Sequence, residues 1–340
     1  MMVDEFKAYL KTCKSRTAVD KYTQAARGFC GYLASIGKTI ETAHRGALRD
    51  FVAWLVTPEA GMTTPSPATV HLQIAGVRSY LEYLRGNGVN VPDMVKPERP
   101  KIESKMPVVL STDEVKAYAR LALAEAEPYA TALLILPFCG LRVDELVNLK
   151  LGDVTFKDFG PGDRRYILYV RRGKGGKSRL APLLSGPQCA VSHALDRYML
   201  EDRTKFQRDE SSIPRAQRWL FPAPATRFYN SISVQRLQTT CVRWREETGV
   251  GDLHPHMCRA TYATALLSTG HEYAPPIDAL EVARYLGHAK GVDVLAEHYA
   301  GCRFENGVEL FGRIARPSTD DYRPRATRQK ASQTTAAREV

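Results

Sequence analysis

Apolar residues recur at three- and four-residue intervals in DEFKAYLKTC, VDKYTQAARGFCGYLASIG, ALRDFVAWLV and PATVHLQIAGVRSYLEYLRGNG. That is the period of amphipathic helices. Gly37, the loop TPEAGMTTPSP and Gly86 to Gly88 interrupt the pattern where helices end. Residues 1–90 are therefore predicted to form a small all-helical unit, with Tyr22, Phe29 and Leu33 toward its core. Over 91–110 the periodicity stops and four prolines stand among mixed charges, which reads as a linker.

A second region begins at Ser111, which with Glu114 has the spacing of a capping box ahead of VKAYARLALAEA. The apolar run ATALLILPFCG and the short RVDELVNLK follow as helices. In RRYILYVRRGKGGKSRLAPLL two β-rich runs flank GKGG, the signature of a hairpin with a glycine-supported turn. Further helices are expected at about 187–202, 232–247, 257–269, 278–286 and 305–315. The expected fold is mainly α with a small β-hairpin or sheet. Its second domain spans 111–316, and 317–340 form a polar, basic tail that is disordered or orders on a partner.

Length and composition add limits. A chain of 340 residues suggests two domains, and 44% hydrophobic with 25% charged residues is ordinary for a globular protein. No run approaches the ~18 apolar residues of a membrane span, and MMVDEFKAYLKTCKS lacks a signal-peptide core, so a cytoplasmic, nucleoid-associated protein is expected. The seven cysteines are scattered without a CxxC pair, consistent with reduced, mostly buried thiols. The net charge of +11 favours a polyanionic partner, nucleic acid before membrane. Lys14, Arg16 and Lys21, with Lys7, Lys11 and Arg27, crowd the outer faces of the first two helices, as a DNA-contacting or simply solvated surface.

Four segments carry candidate chemistry. CGLRVDELVNL has Arg142 at a helix start and Glu145 one turn on; RRGKGGKSRLAPL has Lys174 and Lys177 at a hairpin tip; HPHMCRATYATALL has His256 and Arg259 one turn apart; LGHAKGVDVLAEHYAG has His288 and Tyr299. Taken singly, each is weak and reads more often as a solvated surface or polar edge than as a site. Taken in order, GLRVDEL, GKGGKSR, HMCR, LGH and HYA resemble the tyrosine recombinases, the family of phage integrases and Xer-type recombinases, over about 110–315. The helical region before them matches the place of that family's core-binding domain.

The resemblance implies a two-domain, C-shaped DNA clamp and a site-specific recombinase that cuts and rejoins DNA through a 3′-phosphotyrosyl link. It assigns Arg142 and Arg259 to the scissile phosphate, Lys174 to the departing 5′ oxygen, His256 to the nucleophile's proton, His288 to a phosphate oxygen and Tyr299 to the attack. Glu145 becomes the partner that orients Arg142, and Lys177 and Arg179 are candidates for hairpin phosphate contacts. The implied partners are double-stranded DNA with an inverted-repeat core site, a second protomer on that site, a tetramer in synapsis and accessory DNA-bending proteins. No cofactor or metal is implied; His254 and His256 in HPH lack further ligands at recognisable spacing.

Departures from the family pattern are Cys258 and Ala260 in HMCRATY, the inserted HEYAPP, and a His288-to-Tyr299 spacing about two residues longer than usual. Tyr262 is the rival tyrosine but lies on the apolar side of its helix. The apolar face of ENGVELFGRIARP suits either docking on a neighbouring protomer or packing on its own domain. Two other readings share the residue set: a type IB topoisomerase-like DNA relaxase, and a DNA-binding regulator on the same fold that has lost cleavage.

Overall fold

The computed structural model describes residues 2–57, 63–102, 107–158, 164–171, 173, 177–184, 191–206, 212–224, 230–268 and 277–287. The chain divides into two compact units, Met1–Ser104 and Lys105–Val340.

Among its described residues the first unit contains four helices, α1 (Met2–Cys13), α2 (Arg16–Ser35), α3 (Ala47–Val56) and α4 (Pro67–Gly86). Their apolar faces close on Phe6, Leu10, Phe29, Leu33, Phe51, Val77 and Leu81, with Tyr22 at the margin. Phe29 and Phe51 meet edge-on, ring centroids 5.3 Å apart. A glycine inside α4 costs helix propensity, yet Gly76 has a reason to be there. A Cβ at this position would stand 2.6 Å from that of Ala25, so its absence lets α2 and α4 pack closely. Ser66 accepts from the Thr69 amide at 3.3 Å and Pro67 opens the helix.

The second unit is organised around α6 (Tyr129–Cys139), buried from Ala130 to Cys139 because it is apolar on every side. α5 (Thr112–Ala124) and α11 (Pro255–Ser268) pack against it. α5 opens with the expected capping box: the Glu114 amide donates to Ser111 Oγ at 3.3 Å, and the Ser111 amide to Glu114 Oε2 at 2.6 Å. Pro137 inside α6 has no N–H to give the Leu133 carbonyl. The Tyr118 hydroxyl of α5 supplies that bond instead, at 3.2 Å, while its ring packs edge-on against Trp244 at 5.3 Å.

Where a hairpin was expected there is a three-stranded antiparallel sheet: β1 (Val154–Asp158), β2 (Arg164–Val170) and β3 (Arg179–Pro182), in that order. Val154 pairs with Leu168, and Val170 with Arg179. β1 escapes sequence reading because none of Val154 to Lys157 is buried and Phe156 is 48% exposed, so no inward-outward alternation marks it. Short helices α7 (Val143–Val147), α8 (Val191–Arg197), α9 (Val234–Arg243), α10 (Arg245–Thr248) and α12 (Ala279–Leu286) complete the unit. The single helix expected over 232–247 is broken between α9 and α10 at buried Trp244.

The expected helix at 305–315 and the tail at 317–340 lie outside the described residues. Cys139, Cys241 and Cys258 are buried free thiols, whereas Cys30 is half-buried and Cys13 exposed. No helix among the described residues is long and apolar enough to cross a membrane.

Candidate active site

Chain reversals at Gly140 and Gly287 stand beside the candidate residues. α6 ends at Gly140, whose φ of +60° suits a glycine, and a Cβ there would overlap the Tyr262 ring of α11. One residue separates this turn from Arg142, which enters α7 in an extended conformation. Glu145 holds Arg142 twice: its Oε2 accepts the Arg142 amide at 2.8 Å, and its Oε1 accepts Nη1 at 2.9 Å. Glu145 thus contacts Arg142 through both of its carboxylate oxygens. The Arg142 side chain is 28% exposed, and the Glu145 side chain only 5%.

Arg179, at the start of β3, stands differently from the expectation that it faces DNA beside Lys177. Its side chain is 7% exposed. Nη1 and Nη2 donate to the two Glu145 oxygens at 2.8 and 2.6 Å, and Nε donates to the Tyr285 carbonyl at 2.7 Å. The buried carboxylate draws the guanidinium inward, because a buried anion without a partner is far costlier than a paired one. Burial by itself would raise the Glu145 pKa. The hydrogen bonds and charge of Arg179, then the Arg142 amide and charge, outweigh it and bring the value to about 2.

On α11, His256 is exposed in the first turn and Arg259 follows three residues later, 1% exposed. Arg259 donates Nη1 to the Gly140 carbonyl and Nη2 to the Leu286 carbonyl. One guanidinium therefore ties the end of α6, just before Arg142, to the end of α12. α12 closes on Gly287 with φ of +67°, where a Cβ would stand 2.9 Å from Arg179 Cδ. The His256 pKa is lowered by partial desolvation and then by the positive charges of Arg259, His254 and Arg142. Both effects favour the neutral imidazole over the charged one.

Tyr262 is buried, and its hydroxyl donates to the Pro182 carbonyl at 2.8 Å. Burial pushes that phenol well above its ordinary value, so Tyr262 serves the core. Lys177 is exposed, and its carbonyl accepts the Gly173 amide at 2.8 Å. Lys14, Arg16 and Lys21 are exposed on the first unit. Lys174, His288 and Tyr299 lie outside the described residues. Arg142, Glu145, His256 and Arg259 are thus brought to one locality, joined by Arg179, whose inward role was not legible. The available signal was the glycines: Gly173 and Gly287 both leave space along Arg179. Among the described residues, no three His, Cys, Asp or Glu side chains gather as metal ligands.

Comparison with known proteins shows the family of the chain. Residues 109–304 match the phage integrase family. A tyrosine recombinase of Thermosipho africanus is 28% identical over 297 residues, covering 84% of this chain and 90% of that protein. Tyrosine recombinase XerA of Pyrococcus horikoshii is 27% identical over 289 residues, 85% of each chain. The fold is similar to that of a XerH site-specific recombinase bound to palindromic difH substrate in a post-cleavage complex, with a TM-score of 0.60 and 17% identity over 85% of this chain and 77% of that one. It is also similar to a lambda integrase dimer bound to a COC′ core site, with a TM-score of 0.59 and 14% identity over 90% and 78%. The chain belongs to the phage integrase family and is a tyrosine site-specific recombinase, a DNA strand-transferring enzyme.

Proposed function

We propose that Arg142 and Arg259 cradle the scissile phosphate, and that Tyr299 attacks it to leave a 3′-phosphotyrosyl link and a free 5′ hydroxyl. The observation that carries this reading is the shared anchorage of the two arginines. Arg259 holds the Gly140 carbonyl two residues before Arg142, and Glu145 holds Arg142 itself. A phosphodiester anion repels nucleophiles and gathers charge on its non-bridging oxygens in the transition state. Directed guanidinium donors offset that charge, and losing one donor of this kind costs about 3 kcal/mol.

His256 accepts the proton of the Tyr299 hydroxyl, whose free pKa near 10 makes it a poor nucleophile unaided. The Tyr299 oxygen bonds to phosphorus as the bond to the 5′ oxygen breaks, and Lys174 supplies the proton that oxygen takes up. His288 donates to a phosphate oxygen. In rejoining, a free 5′ hydroxyl attacks and Tyr299 recovers its proton. One phosphoester replaces another at each step, so no external energy source is required.

The helical unit of residues 1–90 and the catalytic region 111–316, linked through 91–110, both contact the duplex, with Lys14, Arg16, Lys21 and Lys177 on DNA phosphates. The net charge of +11 supports this. The substrate is an inverted-repeat core site holding two protomers, with four at synapsis, and accessory DNA-bending proteins can assist. Support comes from similar folds captured as a lambda integrase dimer on a core site and as a lambda integrase tetramer on a Holliday junction, the latter with a TM-score of 0.56.

The test is covalent trapping. Duplexes carrying inverted repeats from DNA flanking the gene, nicked near the centre, are incubated with wild type and Tyr299→Phe and run under denaturing conditions. The expected result is a slow protein–DNA band with wild type only. Binding of a nicked site without any covalent band would overturn the reading.

A further inference from the structure

We propose that Arg179 is a positioning residue for strand cleavage, holding the Glu145 carboxylate in the orientation that presents Arg142 to the scissile phosphate. This rests on the reading of Arg142 as a phosphate ligand.

Glu145 has two oxygens and two arginines to serve. Each oxygen accepts one bond from Arg142, at 2.8 and 2.9 Å, and one from Arg179, at 2.6 and 2.8 Å. Arg142 alone would leave the carboxylate free to swing, since its two donors, a backbone amide and one side-chain nitrogen, come from one residue on one side. The planar fork of Arg179 fixes the plane of the carboxylate from the other side. Its Nε, bonded to the Tyr285 carbonyl at 2.7 Å, fixes the fork in turn.

The surroundings are shaped to admit this fork. A Cβ at Gly287 would stand 2.9 Å from Arg179 Cδ, and one at Gly173 would stand 3.0 Å from Nη1 and 2.9 Å from the Lys177 carbonyl. Glycines in the GKG and LGH segments therefore clear the path of one side chain. Arg179 directs all three of its guanidinium nitrogens at Glu145 and Tyr285. It joins β3, α7 and the end of α12, so the hairpin strand and the turn leading to His288 are registered against Arg142. A lysine in its place reaches one oxygen and cannot also hold the Tyr285 carbonyl.

The experiment compares wild type, Arg179→Gln, Arg179→Lys, Glu145→Gln and the Arg179→Gln/Glu145→Gln double variant on one nicked duplex. It measures DNA affinity across salt concentrations, single-turnover cleavage and thermal unfolding. The expected result is affinity and salt slope within twofold of wild type. Cleavage slows about 10- to 100-fold in Arg179→Gln, the range typical of residues that orient a reactive group, and Arg179→Lys recovers part of the loss. The double variant is no slower than the slower single variant, because both changes break one unit. Wild-type cleavage by a folded Arg179→Gln overturns the proposal. So do additive losses in the double variant, a salt slope reduced by about one phosphate contact, or failure of both Arg179 variants to fold. Cleavage by Arg142→Ala at the wild-type rate would instead sink the phosphate assignment on which the proposal rests.

Discussion

The Arg259 guanidinium is bonded to the Leu286 carbonyl, the residue just before the turn that leads to His288, and to the Gly140 carbonyl, two residues before Arg142. A group proposed to bind phosphate is also the clasp between the two segments flanking it. Arg259→Lys cannot reach both carbonyls, and each buried carbonyl left unpaired costs about 1–3 kcal/mol. Cleavage is expected to fall on the order of 100-fold or more, with a lowered unfolding midpoint. Single-turnover cleavage and thermal unfolding of the same preparation check both effects, and a loss of activity without a loss of stability would remove the clasp.

Two glycines with similar backbones should respond differently to alanine. Gly37 has φ of +65° and nothing within 4 Å of a built Cβ, whereas Gly287 has φ of +67° and Arg179 in the way. Both substitutions carry the left-handed penalty of about 1–2 kcal/mol. Only Gly287→Ala should also slow cleavage, and equal rates for the two variants would deny that the Arg179 path matters.

The acid side of the pH–rate profile should belong to His256. Desolvation and the charges of Arg259, His254 and Arg142 lower its pKa, so the cleavage rate should begin to fall only below the ordinary histidine value of about 6.5. In the unfolded chain this histidine takes up its proton at higher pH than in the native state. Its contribution to stability is therefore whole above the ordinary value and is lost as pH falls below it. His256→Gln should remove that inflection from cleavage. A rate that declines from pH 7.5 downward in wild type would assign the proton to another group.

Glu145 titrates in the opposite range. With a native pKa of about 2 against 4.5 unfolded, its stabilisation is complete above the unfolded value and is lost as pH falls toward 2. That difference corresponds to about 3 kcal/mol. Glu145→Gln, which leaves Arg179 buried without its counter-ion, should destabilise by a similar ~3 kcal/mol at neutral pH. It should also flatten the acid limb of denaturation, which denaturant melts at pH 7, 4 and 3 would follow.

Tyr262 offers a control for the nucleophile. Its hydroxyl donates to Pro182 at 2.8 Å within the core, so Tyr262→Phe should cost about 1 kcal/mol and retain covalent trapping. Loss of trapping in a folded Tyr262→Phe protein would reopen the choice between it and Tyr299.

Most of this fold is legible locally. The capping box at Ser111 and Glu114 and the all-apolar α6 each depend on residues within one or two helical turns. Edge strand β1 and the break between α9 and α10 at Trp244 were not legible. The first presents no buried face, and the second turns on how a large side chain is buried.

Which residue types stand in the site can be read along the chain, because GLRVDEL, GKGGKSR, HMCR and LGH are contiguous and their helix and strand periods are short-range properties. Their partnerships arise in the folded chain. Arg179 meets a carboxylate 34 residues earlier, and Arg259 meets carbonyls 119 residues before and 27 residues after it. Both arginines point inward because a buried carboxylate and the orphan carbonyls at two helix ends must be paired, and no local pattern announces which charge will pair them.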